Sequence, residues 1–176
     1  MFPWAAYKST KSAVKLHTLL NIRGDIPEFI HISDGKLADM EALDYIPITP
    51  GTFTIMDRAY IDFARLHRFE RNKAFFIVRA KKNLNFRRRY SAQTDKTTGV
   101  FCDQTILLNC YYSAQEYPDP LRRIRYFDTE QKRRFVFLTN NFQLPALTVA
   151  ELYRSRWRIE LFFKWIKQHL RIKAFY

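Results

Sequence analysis

Apolar positions along the chain fall into short runs that switch between strand and helix periods. Residues 13–22 (AVKLHTLLNI) and 27–32 (PEFIHI) read as two strands joined by a turn at Arg23-Gly24-Asp25. A short helix over residues 39–45 ends before Pro47, because the residue preceding a proline avoids the helical region. Residues 52–56 (TFTIM) read as a strand. Residues 60–71 set Ile61, Ala64 and Phe69 among charges and read as a helix. Residues 74–79 (AFFIVR) are continuously apolar, the pattern of a central strand covered on both faces.

The texture then changes. Residues 83–130 are basic, rich in Tyr and Thr, and broken by Pro118 and Pro120. With strand-like pieces at 105–112 and 121–127, they read as a small β insertion. Residues 133–139 (RRFVFLT) return to a core-type strand. A single long helix is predicted over residues 149–170, with Thr148 and Glu151 as a capping box at its start. The order of elements predicts an α/β domain in three parts, residues 1–82, 83–130 and 131–176.

Composition adds a partner to this picture. Of 176 residues, 47% are hydrophobic and 16% aromatic, enough for a core and too apolar for a disordered chain. Thirty Lys and Arg face 17 Asp and Glu, a net charge of +13 with a pI near 9.9. A globular chain this basic points to a polyanion, with nucleic acid first and an anionic membrane surface second. No apolar run approaches the roughly 18 residues of a membrane span, and the start MFPWAAYKSTKS does not read as a secretory signal. Cys102 and Cys110 fit no zinc spacing and suit a reducing cytosol; His17, His31, His67 and His169 show no ligand spacing.

Candidate chemistry concentrates in two places. On a continuous helix of 100° per residue, Tyr153, Arg156, Glu160 and Lys167 fall within a sector of roughly 60°. Leu152, Ile159, Phe162, Phe163, Ile166 and Leu170 fill the neighbouring sector and should face the core. A carboxylate on that border can hold a cation, and the Arg, Lys and Tyr around it can hold phosphate oxygens. The same spacing also makes Arg156 and Glu160 an ordinary i,i+4 ion pair on a solvated face. The second place is Asp57, which Phe53 and Ile55 precede on one face of a strand. A carboxylate at the end of a core strand needs a partner, and either a metal ion or the N-cap of the following helix supplies one.

Tyr153-x2-Arg156-x3-Glu160-x6-Lys167 resembles the Y-R-E-K signature of the insertion-sequence-4-type DDE transposases. Asp57-Arg58-Ala59-Tyr60 resembles the family's segment around the second catalytic Asp, and residues 33–43 (SDGKLADMEAL) resemble its Asp-Gly-Lys segment. The resemblance implies an RNase H-like mixed sheet with flanking helices, a β-rich insertion, and a first core strand missing from this chain. It implies that Asp57 and Glu160 are catalytic metal ligands. Three carboxylates of the complete enzyme would hold two Mg2+ (or Mn2+) ions for cleavage and strand transfer of DNA at insertion-sequence ends. Tyr153, Arg156, Lys167, Arg58, Trp157, Arg87, Arg88 and Arg89 are then candidate DNA contacts, with Arg122, Arg123 and Arg125 as further basic positions. The implied setting is cytoplasmic and nucleoid-associated, with duplex DNA as partner and a homodimer in a synaptic complex. The implied first Asp lies upstream of FPWAAYKSTK, and Asp25, Asp34, Asp39 and Asp44 do not match it. The expectation is therefore a truncated chain, inactive by itself. A DNA-binding remnant without chemistry and an RNase H-like nuclease without strand transfer are the two other functions considered.

Overall fold

The computed structural model describes residues 6–8, 11–12 and 14–169, in two compact units. One comprises Met1–Pro47 with Ser155–Tyr176, the other Ile48–Arg154.

The Ile48–Arg154 unit is built on a mixed six-stranded sheet. Its strands are β5 (Phe53–Met56), β6 (Phe75–Arg79), β7 (Phe86–Ala92), β8 (Val100–Leu108), β9 (Leu121–Asp128) and β10 (Arg133–Thr139), in the spatial order β5-β6-β10-β9-β8-β7. Only β5 and β6 pair in parallel, so a crossover must join them. Helix α1 (Phe63–Arg71) forms it and lays Leu66 and Phe69 against the face that carries Phe76. The opposite face presents Ile77, Ile124, Phe135 and Phe137 to Val149, Ala150 and Tyr153 of helix α3 (Ala146–Arg154). Strand β6 is thus covered on both sides, as its continuous apolar run predicts, and Phe76, Ile77 and Val78 are fully buried. The buried Asn140 carboxamide ties the end of β10 to the start of β6. It accepts the Phe76 N–H at 3.0 Å and donates to the Ala74 carbonyl at 2.9 Å and to Glu70 at 2.8 Å.

The basic segment contributes β7, β8 and β9 to the six-stranded sheet. Three sequence expectations change here. Residues 111–112, expected to end a strand, open helix α2 (Tyr111–Glu116), because β8 stops at Leu108. The helix expected from residue 60 begins at Phe63. Asp62 caps it by accepting the Arg65 N–H at 3.0 Å, and a 3-10 turn at Arg58–Tyr60 precedes it. Helix α3 begins at Ala146, so Thr148 lies inside the first turn and the capping box does not mark the start.

The largest correction concerns the final helix. It is two helices, α3 and α4 (Trp157–His169), separated at Ser155-Arg156. Serine favours helix starts over interiors because its hydroxyl competes for nearby backbone groups. The Arg158 and Ile159 N–H groups reach back only three residues, to Ser155 and Arg156. Among the described residues of α4 none is buried. Ile159, Phe162, Phe163 and Ile166, expected in the core, are half-buried, and Leu170 lies outside the described residues. No helix among the described residues is long and apolar enough to cross a membrane.

In the other unit, β3 (Val14–Asn21) and β4 (Ile26–Asp34) form the predicted hairpin, with Asp25 at φ +52° in its turn. Asp accepts this left-handed conformation more readily than most residues. Ala13 lies outside the described residues. The buried His17 ring meets the Ser33 hydroxyl at 3.1 Å, and burial holds its imidazole below the usual value. Two further pieces, β1 (Ala6–Lys8) and β2 (Lys11–Ser12), pair antiparallel. The helix expected over residues 39–45 is a 3-10 turn, Glu41–Asp44.

Candidate functional site

Asp57 follows β5 directly. Its backbone is extended, with φ −81° and ψ 168°, and its Oδ1 accepts the Arg58 N–H at 2.7 Å at the head of the 3-10 turn. The N-cap reading of this residue is therefore realised. A second group approaches the same oxygen: the Tyr153 hydroxyl of α3, at 3.5 Å. Asp57 is half-buried, and among the described residues its Oδ2 has no hydrogen-bond partner. One oxygen is anchored and the other is open, so capping and ion binding are compatible in one side chain.

Tyr153 differs from its expected role. It is 7% exposed, with its ring 4.6 Å from Phe137 and 6.1 Å from Phe135, so it does not offer itself to solvent as a phosphate contact. Packing fixes the ring, and the fixed ring aims its hydroxyl at Asp57.

Glu160 lies in the first turn of α4. Its Oε1 pairs with Arg156 at 2.5 Å, the i,i+4 pair that the spacing allowed. Arg156 sits in the break between α3 and α4 rather than on a continuous stripe. Tyr153 belongs to a different helix from Glu160 and Lys167. Lys167, in the last turn of α4, and Trp157, 57% exposed, both face solvent. Arg158, which sequence reasoning passed over, pairs with Asp25 at 3.2 Å and donates to the Ile22 carbonyl.

The basic positions separate by burial. Arg58, Arg87, Arg88 and Arg89 are exposed, the last three on the edge strand β7. Arg122 is the reverse and is withdrawn as a phosphate contact. It is buried and makes a two-bonded pair with Asp103, Nε to Oδ1 at 2.8 Å and Nη2 to Oδ2 at 2.6 Å. Its Nη1 donates to the Asn141 and Leu144 carbonyls. Arg123 is half-engaged, with Gln104 at 2.9 Å and the Phe86 ring at 4.9 Å.

Oxygen-only donors suit a hard divalent cation. Asp57 offers one such donor. Several acids of its unit are engaged elsewhere: Asp62 holds Arg65, Asp103 holds Arg122, and Asp128 caps the turn at Glu130 and Gln131. Among the described residues no three His, Cys, Asp or Glu side chains gather into an ion cage.

A family model described as a transposase DDE domain matches residues 3–176. The chain is 33% identical over 177 residues to a Sinorhizobium fredii protein named as transposase y4zB, covering 98% of this chain and 49% of that protein. It is 27% identical to a protein of Geobacillus stearothermophilus named as a transposase for insertion sequence element IS5377, over 99% of this chain and 46% of the other. A third, of Synechocystis and named as a transposase for insertion sequence element IS4SA, is 24% identical over 90% of this chain. The chain spans about half the length of the curated relatives it matches.

Proposed function

The chain belongs to the transposase DDE domain family, and from this premise we propose that it is a catalytic segment of an insertion-sequence-4-type enzyme, with Asp57 and Glu160 as metal-ligating acids. The proposed substrate is duplex DNA at insertion-sequence ends, and the reaction is phosphodiester hydrolysis followed by strand transfer. The fold is read as RNase H-like, with residues 1–82 and 131–176 as core and 83–130 as insertion in chain order. A second copy in a synaptic complex and a cytoplasmic setting belong to the same reading.

One observation supports it most. Asp57 stands at the carboxyl end of a strand, where open sheets place their ligands. Its Oδ1 is fixed by the Arg58 N–H and the Tyr153 hydroxyl, while Oδ2 is left open. A bound Mg2+ would supply Lewis-acid stabilisation and a more acidic water at that oxygen. The chain's own part is to hold the acid still. Tyr153 acts on it as a positioning residue, and Arg58, Arg87, Arg88, Arg89, Arg156, Lys167 and Trp157 are the proposed DNA contacts. Arg156 pairs with Oε1 of Glu160, and in this reading it exchanges that carboxylate for a DNA phosphate as the acid takes up a cation.

Two carboxylates are fewer than the three implied for two-metal transfer, and among the described residues no three His, Cys, Asp or Glu side chains gather around an ion. A nicking assay with Mg2+ or Mn2+ on labelled duplex is therefore expected to leave the DNA intact with the 176-residue chain. Cleavage that vanishes in Glu160→Ala would mean that another carboxylate, such as Asp34 or Asp62, takes the third place.

A further inference from the structure

We propose that a cationic cavity reached by Arg58, the residue after Asp57, is a binding site for the phosphodiester backbone of DNA. Six basic side chains line it: Arg58, Arg79, Lys81, Lys82, Arg123 and Arg134. No carboxylate lines it, and among the described residues none of the six is ion-paired. Elsewhere in the same unit Arg65, Arg122 and Arg154 each have a carboxylate partner. Here six like charges converge uncompensated, an arrangement that an anion relieves.

The side chains come from separate parts of the sheet. Arg79 ends β6, Lys81 and Lys82 follow it, Arg123 lies in β9 and Arg134 in β10. Arg58 is the residue after Asp57, whose carboxylate accepts its N–H.

The sheet pre-orients part of the cluster. Arg123 is held by Gln104 at 2.9 Å and lies 4.9 Å from the Phe86 ring centre. Arg79 lies 5.4 Å from the Phe135 ring centre. Arginine forks placed in this way match phosphate oxygens, and the exposed Lys81 and Lys82 add charge at the rim. The volume, about 170 Å³, decides what enters. It is below the roughly 300–1,000 Å³ of pockets that enclose whole small molecules. It admits a phosphate group while the sugars and bases of a strand stay outside.

This inference rests on the DNA-processing reading, and its test separates the two. Binding of a duplex of about thirty base pairs is measured by fluorescence anisotropy in EDTA over a range of salt, a length that spans several phosphate contacts. The triple variant Lys81→Gln, Lys82→Gln, Arg134→Gln removes three exposed charges from the cavity. A control triple, Lys36→Gln, Lys96→Gln, Arg71→Gln, removes three exposed charges elsewhere. The cavity triple is expected to bind about 10- to 100-fold more weakly, with the slope of log K against log salt shallower by about 2. The control should stay within about threefold of the parent chain, as nonspecific charge loss alone predicts. The charge-conserving Arg134→Lys should keep the parent slope, and melts by circular dichroism verify that each variant folds. Equal weakening by the two triples overturns the proposal. So does displacement of the duplex by low-millimolar inorganic phosphate at constant ionic strength, which would make the cavity a free-anion site. Because EDTA removes divalent ions, a failed metal site at Asp57 leaves the binding result unchanged, and the expected loss in the cavity triple then still supports the proposal.

Discussion

Arg122→Ala lowers the unfolding free energy of the Ile48–Arg154 unit by about 3–5 kcal/mol, the cost typical of removing one partner from a buried ion pair. Arg122 registers with Thr105 and reaches diagonally across the β8–β9 ladder to Asp103, whose registered partner is Ile124. Their side chains are only 8% and 16% exposed. The substitution leaves Asp103 a charge with little access to water. It also strips a donor from the Asn141 and Leu144 carbonyls, which shape the approach to α3. Lysine does not rescue it, because an ammonium lacks the fork that meets both carboxylate oxygens and two carbonyls at once. A joint Arg122→Met, Asp103→Leu change recovers most of the loss, since no charge is then stranded. Urea melts with an unchanged slope give the measurement. A loss below about 1 kcal/mol, the range of an exposed pair, would contradict the buried assignment.

Tyr153 separates stability from site chemistry. Tyr153→Ala empties a packed position between Phe135 and Phe137 and is expected to cost about 3–5 kcal/mol, as large aromatic truncations do. Tyr153→Phe keeps the ring and removes the hydroxyl with its long hydrogen bond to Asp57, so its expected stability cost is about 1 kcal/mol. If the hydroxyl orients Asp57 for an ion, the same Phe variant weakens Mn2+ binding by about 10- to 100-fold, the usual effect of losing a partner behind a metal ligand. A purely structural tyrosine would show the reverse: Tyr153→Phe would bind Mn2+ like the parent chain.

What could be read from the sequence followed the strength of the apolar pattern. β6 and β10 match their predicted spans to within one residue, because Ala74-Phe-Phe-Ile-Val and Phe135-Val-Phe-Leu have the length and composition of buried strands. β7 (FRRRYSA) was passed over, since an exposed edge strand carries no apolar alternation to find. The break at Ser155-Arg156 was missed because neither Gly nor Pro marks it, and the wheel that grouped Tyr153 with Glu160 assumed a helix without interruption. Arg122 looked like its neighbours Arg123 and Arg125. Only the folded sheet brings it diagonally against Asp103 and the loop carbonyls. The cationic cavity was beyond reach for a similar reason: its residues are spread from 58 to 134 and meet through strand pairing. Asp57 was legible as a strand-end acid; its Tyr153 partner is 96 residues away and was not.

The central claim, that Asp57 is a metal-binding acid of a transposase catalytic segment, is tested most directly by titrating Mn2+ into the chain and into Asp57→Asn, reading free ion by electron paramagnetic resonance. Asn keeps an oxygen that can accept the Arg58 N–H, so the fold and the 3-10 turn are preserved while the negative ligand is lost. The expected result is an affinity about 100-fold lower in Asp57→Asn, at or beyond the upper end of what a lost supporting partner costs, with an unchanged thermal midpoint. Equal Mn2+ affinity in the two proteins would leave Asp57 as a helical-turn cap alone and contradict the account.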